Sequence, residues 1–162
     1  MSLLPKPLLP QIIIPAPIDY ERLARLFAVI AADPDAVNFH PHPFDAAHAK
    51  RICSYAGSDL YCSLRIDDDF VAYAMLRGWD EGYQVPSLGI YLKPCVRGSG
   101  AALILMEFLH YSARKAGANL IRLKVYPHNR RALTLYQKLG YEFDPALQPD
   151  GQLLGVLNLS YT

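Results

Sequence analysis

Arg97, Gly98, Gly100 and Ala102, in the stretch "PCVRGSGAALILMEFL", stand between a strand-like run and a solidly apolar helix. A helix N-terminus exposes unpaired N–H groups and partial positive charge, so a cation there is locally unfavourable. Arg97 becomes sensible if a strongly anionic group sits between its guanidinium and those N–H groups. The small residues Gly98, Gly100 and Ala102 let an anion approach the backbone closely. Strand, glycine turn and buried helix, in that order, are also the context in which backbone N–H groups capture phosphate. A plain glycine turn is the simpler reading, and it would lead if Gly-x-Gly stood alone. No Lys-Ser or Lys-Thr follows the second glycine, so this is not a P-loop, and no third glycine follows at dinucleotide spacing.

Other residues could do chemistry nearby. Asn129 and Tyr136 are seven residues apart, two helical turns, and so share a face. The loop "NFHPHPF" brings Phe39, His40 and His42 together. The turn "RGWDEGY" adds Trp79 and the carboxylates Asp80 and Glu81. Each has a plainer role as core aromatic, proline-packed imidazole or solvated turn residue.

These residues must be positioned by regular elements. "QIII" reads as a short strand stopped by Pro15 and Pro17. Asp19 can cap a helix whose Leu23, Leu26, Phe27 and Ile30 form one apolar face. A second helix spans about 45–55. "LYCSLRI" and "FVAYAMLRGW" are strands around an Asp67–Asp69 turn, and "VPSLGIYL" is a third. The glycine stretch opens a helix at Ser99 or Gly100 that ends at Gly117. "NLIRLKVY" is a strand. Asn129 caps a helix closed by Gly140, and "YEF" and "LLGVLNLSY" finish as strands. The order β, α, α, β, β, β, α, β, α, β, β favours an α/β mixed sheet with helices on both faces.

Length and composition set the bounds. The 162 residues fit one domain, 11–162, behind a Pro-rich extended arm, 1–10. Apolar residues at 52% and charged ones at 19% are globular proportions. A formal charge of +1 argues against a large basic face for nucleic acid. Cys53, Cys62 and Cys95 are odd in number and lack metal-ligand spacing, so neither a disulfide framework nor a metal site is expected. The start does not read as a signal peptide and no run is long enough to span a membrane, which suggests a cytoplasmic protein.

"IYLKPCVRGSGAALILMEFL" resembles the acetyl-CoA pyrophosphate motif of the GNAT superfamily of acyl-CoA-dependent N-acyltransferases. The pattern is Arg or Gln, two residues, Gly, one residue, then Gly or Ala. Arg97, Gly100 and Ala102 match it, and Pro94 stands at the usual place ahead. "NRRALTLYQKLGYEF" is similar to the family's second cofactor motif, and "IIPAPIDYERLARL" to its first strand and helix, so the resemblance covers nearly the whole chain. Ala101 departs from the usual branched aliphatic, which would loosen packing without removing the anion site.

The resemblance implies a mainly antiparallel sheet with a splayed parallel strand pair holding acetyl-CoA as acyl donor. It implies that the N–H groups of Arg97, Gly98, Ser99, Gly100, Ala101 and Ala102 bind the pyrophosphate, and that Ile90, Tyr91 and Leu92 pair with the pantetheine arm beside a strand bulge. The backbone near Ile90 would polarise the thioester carbonyl. Asn129 would contact pantetheine, and Tyr136 would protonate the departing thiolate. A thiol pKa of ~8.5 against a phenol pKa of ~10 leaves little driving force, so the tyrosine mainly prevents reversal.

The strand "VPSLGIYL" lacks the carboxylate that the family often keeps there. Asp80, Glu81, His40 and His42 are therefore the candidates for base or acceptor contact, with water as the alternative. Phe39, His40, His42 and Trp79 offer an acceptor wall suited to a small polar ring or an aminoalkyl chain. The expected activity is acetyl transfer to the primary amine of a small molecule, an amino sugar being one class, by direct attack. A protein or peptide acceptor and a non-catalytic acyl-CoA-binding module are the alternatives. Many members of the family dimerise, so a homodimer is one expected partner state.

Overall fold

The computed structural model describes residues 9–160. The proposed arm therefore lies mostly outside the described residues; Leu9 and Pro10 belong to no helix or strand. Seven strands and four helices follow in the expected order: β1 (Gln11–Ile13), α1 (Tyr20–Ala32), α2 (Ala46–Cys53), β2 (Leu60–Ile66), β3 (Asp69–Arg77), β4 (Ser87–Leu92), α3 (Ala101–Lys115), β5 (Leu120–Val125), α4 (Arg130–Lys138), β6 (Glu142–Phe143) and β7 (Leu153–Asn158). No helix among the described residues is long and apolar enough to cross a membrane.

The strands form one sheet in the order β1-β2-β3-β4-β5-β7-β6. Every neighbouring pair is antiparallel except β4–β5. Alternation along the strands divides the core. Tyr61, Tyr73, Met75 and Tyr91 face α1 and α2, joining Leu23, Leu26, Phe27 and Ile30 in one cluster. Cys62, Leu64, Ala74, Leu88, Ile121 and Leu123 face the other way, against Leu105, Met106 and Leu109 of α3.

Two local readings change. Asp19 stands just before α1 but does not cap it: its carboxylate turns back to the Ala16 N–H at 3.0 Å and lies 3.5 Å from Arg22. Asp45, by contrast, caps α2 by accepting from the His48 N–H. The loop after α1, read from sequence as irregular, contains a 3-10 turn at Pro34–Asn38 capped by Asp33. Pro34 fits that first-turn position because its missing N–H needs no partner there.

Candidate active site

The site begins where β4 and β5 part. The two strands share a single pairing, Ser87 with Arg122, reinforced by the Arg122 N–H to the Pro86 carbonyl at 3.0 Å. Beyond it they diverge. The expected bulge is absent from the β3–β4 ladder, which runs unbroken from Arg77–Ser87 to Ala72–Leu92. A register shift lies instead between β2 and β3, at Leu64 and Arg65.

The ladder also fixes which β4 groups face the gap. The Lys93 N–H donates to the Val71 carbonyl at 2.9 Å. Antiparallel parity then turns Tyr91 and Gly89 toward β3, and Ile90 and Leu92 toward the opening. The Leu92 carbonyl is taken by Arg97 Nε at 3.0 Å, which leaves the N–H groups of Ile90 and Leu92 and the Ile90 carbonyl free for an extended ligand.

At the mouth of α3, Gly98 and Gly100 adopt φ of 76° and 90°. These are left-handed values that a side chain would strain. The N–H groups of Gly98, Ser99, Gly100, Ala102 and Leu103 make no hydrogen bond to another described residue. Five unpartnered donors converging on a helix start make an anion cradle. The Ala101 N–H is directed to Ser99 Oγ at 3.4 Å, and that of Arg97 to the Pro94 carbonyl. The cradle is thus narrower than the six residues expected.

The Arg97 side chain does not face the cradle. Its Nη2 lies 2.9 Å from Asp33 and its Nη1 3.0 Å from Asp35. Tyr91 donates its hydroxyl to Asp33 at 2.6 Å, and the Arg97 guanidinium lies 5.7 Å from the Tyr91 ring centre. The Tyr91 hydroxyl, with the Asp35 N–H and Arg97, holds the Asp33 carboxyl below the usual range against the opposing effect of burial. The anion that makes Arg97 sensible at this position is therefore the chain's own. Arg131 supplies a cation instead: a Cβ built at Gly98 would lie 3.2 Å from its Nη2.

A cavity of about 1170 Å³ runs along the cradle and the gap and is also lined by Pro34, Asn38, Phe39 and His40 of the loop after α1. Its volume exceeds that of an ordinary small-ligand pocket. Asn129 lines it and also caps α4, accepting from the Ala132 N–H at 3.4 Å. Tyr136 lines it too and is 8% exposed. Burial pushes its hydroxyl up to about 12, and it makes no hydrogen bond to another described residue. Its ring packs 5.8 Å from Tyr141, whose hydroxyl pairs with the buried His110 at 2.8 Å. Burial lowers the His110 pKa from the ordinary imidazole value.

Phe39 and His40 line the cavity. Phe39 stacks on Tyr91 and closes over Gly89, where an added Cβ would meet Phe39 at 3.2 Å and Met75 at 3.3 Å. His40 Nε2 lies 3.5 Å from the Tyr126 hydroxyl, and His128 Nε2 2.9 Å from the Asn38 amide. The loop after α1 is thereby joined to the β5–α4 loop across the cavity. Each imidazole thus uses its Nε2 across this contact, and neither Nδ1 makes a hydrogen bond to another described residue.

Four of the expected catalytic and acceptor-wall residues are not brought to the cavity. His42 packs among Phe27, Phe44 and His48, its Nδ1 donating to the Pro43 carbonyl at 2.7 Å and its Nε2 accepting from Tyr73 at 2.9 Å. Burial lowers its pKa. Asp80 accepts from the Tyr55 hydroxyl and from the Ser58 N–H at 2.7 Å, contacts that depress its pKa. Trp79 packs on the core, and neither it nor Glu81 lines the cavity. The turn is organised instead by Asp59, which accepts the N–H groups of Gly78, Trp79 and Asp80. Sequence reasoning missed Arg77, Arg122, Tyr126, His128 and Arg131. Arg122 alternates with Ile121 and Leu123 along β5, and only the sheet order reveals that its face meets the cavity. Among the described residues no cluster of three or more His, Cys, Asp or Glu is placed to hold a metal.

Comparison with known proteins gives this geometry a context. The sequence profile described as "Acetyltransferase (GNAT) family" matches residues 23–141. The uncharacterized N-acetyltransferase YdgE of Bacillus subtilis is 42% identical over 55 residues, 34% of each chain. The uncharacterized N-acetyltransferase Rv2669 of Mycobacterium tuberculosis is 38% identical over 81 residues, 49% of this chain and 51% of that one. The matched segments thus span about a third to a half of these curated relatives. Among solved structures, the GNAT domain of S. lividans PAT superposes with a TM-score of 0.74 at 16% identity, covering 92% of this chain and 90% of that one. The yncA protein from Salmonella typhimurium, solved with its cofactor acetyl-CoA, superposes at 0.73 and 16%, covering 94% and 95%. At such identities the likeness is one of fold.

Proposed function

The chain belongs to the GNAT acetyltransferase family, and from that premise we propose that it transfers an acetyl group from acetyl-CoA to the primary amine of a small molecule. The observation that carries this reading is the β4–β5 divergence, which leaves the backbone of Ile90 unpaired between the anion cradle of α3 and the buried hydroxyl of Tyr136. Acetyl-CoA supplies the activated thioester; the chain binds, orients and exchanges protons.

The cradle N–H groups of Gly98, Ser99, Gly100, Ala102 and Leu103, with Arg131 beside Gly98, hold the pyrophosphate. β4 extends its ladder through Ile90 and Leu92 to the pantetheine arm. The Ile90 N–H faces the thioester oxygen and stabilises the charge that develops there as the amine adds. The amine lone pair forms the new C–N bond, the C–S bond breaks, and the sulfur leaves with its electron pair. Tyr136 meets that thiolate with a proton or a hydrogen bond. A phenol near 12 is a weak donor to a thiol of ordinary pKa ~8.5, but a thiolate in the same dry site is also pushed upward. His40, the one base candidate of the original four that lines the cavity, takes the amine proton directly or through water.

The contacts His40–Tyr126 and Asn38–His128 reach from the loop after α1 to the β5–α4 loop, and this reach across the cavity supports a small molecule over a peptide as the acceptor. An amino sugar fits the aromatic and polar wall. The experiment is to combine protein, acetyl-CoA and a small-amine panel, and to follow CoA and N-acetyl product together. One-to-one formation, with the protein mass unchanged when amine is omitted, supports direct transfer. Acetylated protein without amine contradicts it.

A further inference from the structure

We propose, resting on the acetyl-transfer reading, that the acceptor carries an oxyanion besides its amine, and that Arg77 and Arg122 bind it. Arg77 pairs with Ser87 across β3–β4, and Ser87 pairs with Arg122 across β4–β5. The three residues form one row over three strands, and cross-strand partners point to the same face. That face is the one carrying Tyr73, Met75 and Tyr91, beneath α1 and α2. All three residues line the cavity.

Both guanidinium groups lack an anion. No carboxylate lies within 4.0 Å of either among the described residues. Arg77 is half-buried. Its Nη1 donates to the Pro41 carbonyl at 2.6 Å, the Tyr61 hydroxyl stands beside it, and its Nε is buried with no partner. Arg122 donates Nε to Ser87 Oγ at 2.8 Å and lies 5.6 Å from the Tyr83 ring centre. The carboxylates that line the cavity are already engaged, Asp35 by Arg97 and Asp150 by Lys124. The cavity floor thus holds two cations with neutral company.

A partly buried cation facing only neutral oxygens, with one donor unused, is an unfavourable arrangement unless an anion completes it. Two planar forks flanking a hydroxyl suit a carboxylate or a phosphate, which accept bidentate hydrogen bonds. The row lies three residues along β4 from Ile90, roughly 10 Å of strand. A short amino acid, or an amine bearing a phosphate, bridges from the row to the thioester.

The test compares matched amines: β-alanine against propylamine for a carboxylate, and phosphoethanolamine against ethanolamine for a phosphate. Turnover and binding to the CoA-loaded protein are measured for wild type, Arg77→Gln, Arg77→Lys and Arg122→Gln, each checked for an unchanged melting transition. An anionic member is expected to exceed its neutral partner in kcat/KM by roughly 10- to 100-fold, the scale of a charge-assisted hydrogen bond. Arg77→Gln or Arg122→Gln is expected to bring that ratio toward one through KM, with Arg77→Lys in between. The preferred pair tells carboxylate from phosphate. Equal turnover of neutral and anionic amines overturns the inference and leaves the transferase reading standing. Arg77-dependent binding of an anionic probe, with no turnover of any amine, marks a ligand that is not an acceptor and overturns the inference together with the transfer reading it rests on. If neither anionic probe binds the CoA-loaded protein or is turned over, the inference falls.

Discussion

Arg97 and Asp33 form an ion pair at 2.9 Å that ties the loop after α1 to the loop opening α3. Tyr91 on β4 completes the pair with its own hydrogen bond to Asp33. The anion cradle, the β4 edge and one wall of the cavity are therefore positioned by one shared contact.

Asp33 predicts an acid dependence. Its folded pKa is depressed, chiefly by the Tyr91 hydroxyl. The sign follows: its stabilisation is fully present above the ordinary carboxylate value of ~3.9 and is lost as pH falls through the lower folded value. Asp33→Asn should lower the melting temperature at pH 7 by an amount equivalent to ~1–3 kcal/mol, the cost of an unpaired partner. The difference from wild type should shrink below about pH 4. Thermal melts from pH 2 to 8 check this.

Tyr136→Phe should reduce kcat by roughly 100-fold or more, the usual range for a positioned acid, with little change in acetyl-CoA affinity. Because burial pushes its hydroxyl up to about 12, wild-type Tyr136 stays protonated throughout an ordinary assay range. The wild-type kcat profile should therefore show no basic decline from this group below about pH 10.

Gly100→Ala should weaken acetyl-CoA binding. Nothing lies within 4 Å of the added methyl, so the effect is one of backbone conformation at φ 90°. Forcing a non-glycine residue into the left-handed region costs ~1–2 kcal/mol, or relaxes the loop and scatters its N–H groups. Calorimetric titration with CoA, alongside thermal melts, separates the two results.

Asp80→Asn should lower stability without altering kcat/KM for any accepted amine. The carboxylate serves the Tyr55 hydroxyl and the Ser58 N–H, away from the cavity. A changed pH–rate profile in this variant would restore Asp80 as a base candidate.

The elements and their order were legible because each carries its own local signal: the Leu23–Ile30 stripe, Asn129 before α4, and glycines closing α3 and α4. The α3 cradle was legible for the same reason, since Gly98 and Gly100 act within a few residues of chain. What escaped was long-range. Arg97 looked free because Asp33 and Asp35 lie more than sixty residues upstream. Asp80 looked available because nothing local shows that Tyr55 and Ser58 reach it. The row of Arg77, Ser87 and Arg122 exists only through strand pairing, and no single segment contains it.

The most direct test of the account is amine-dependent CoA release from acetyl-CoA by wild-type protein and Tyr136→Phe across a small-amine panel. The account predicts N-acetyl product equal to CoA released, on a narrow set of amines, with kcat strongly reduced in the variant. Acetyl-CoA binding without turnover of any amine, or turnover indifferent to loss of the Tyr136 hydroxyl at every pH, would contradict it.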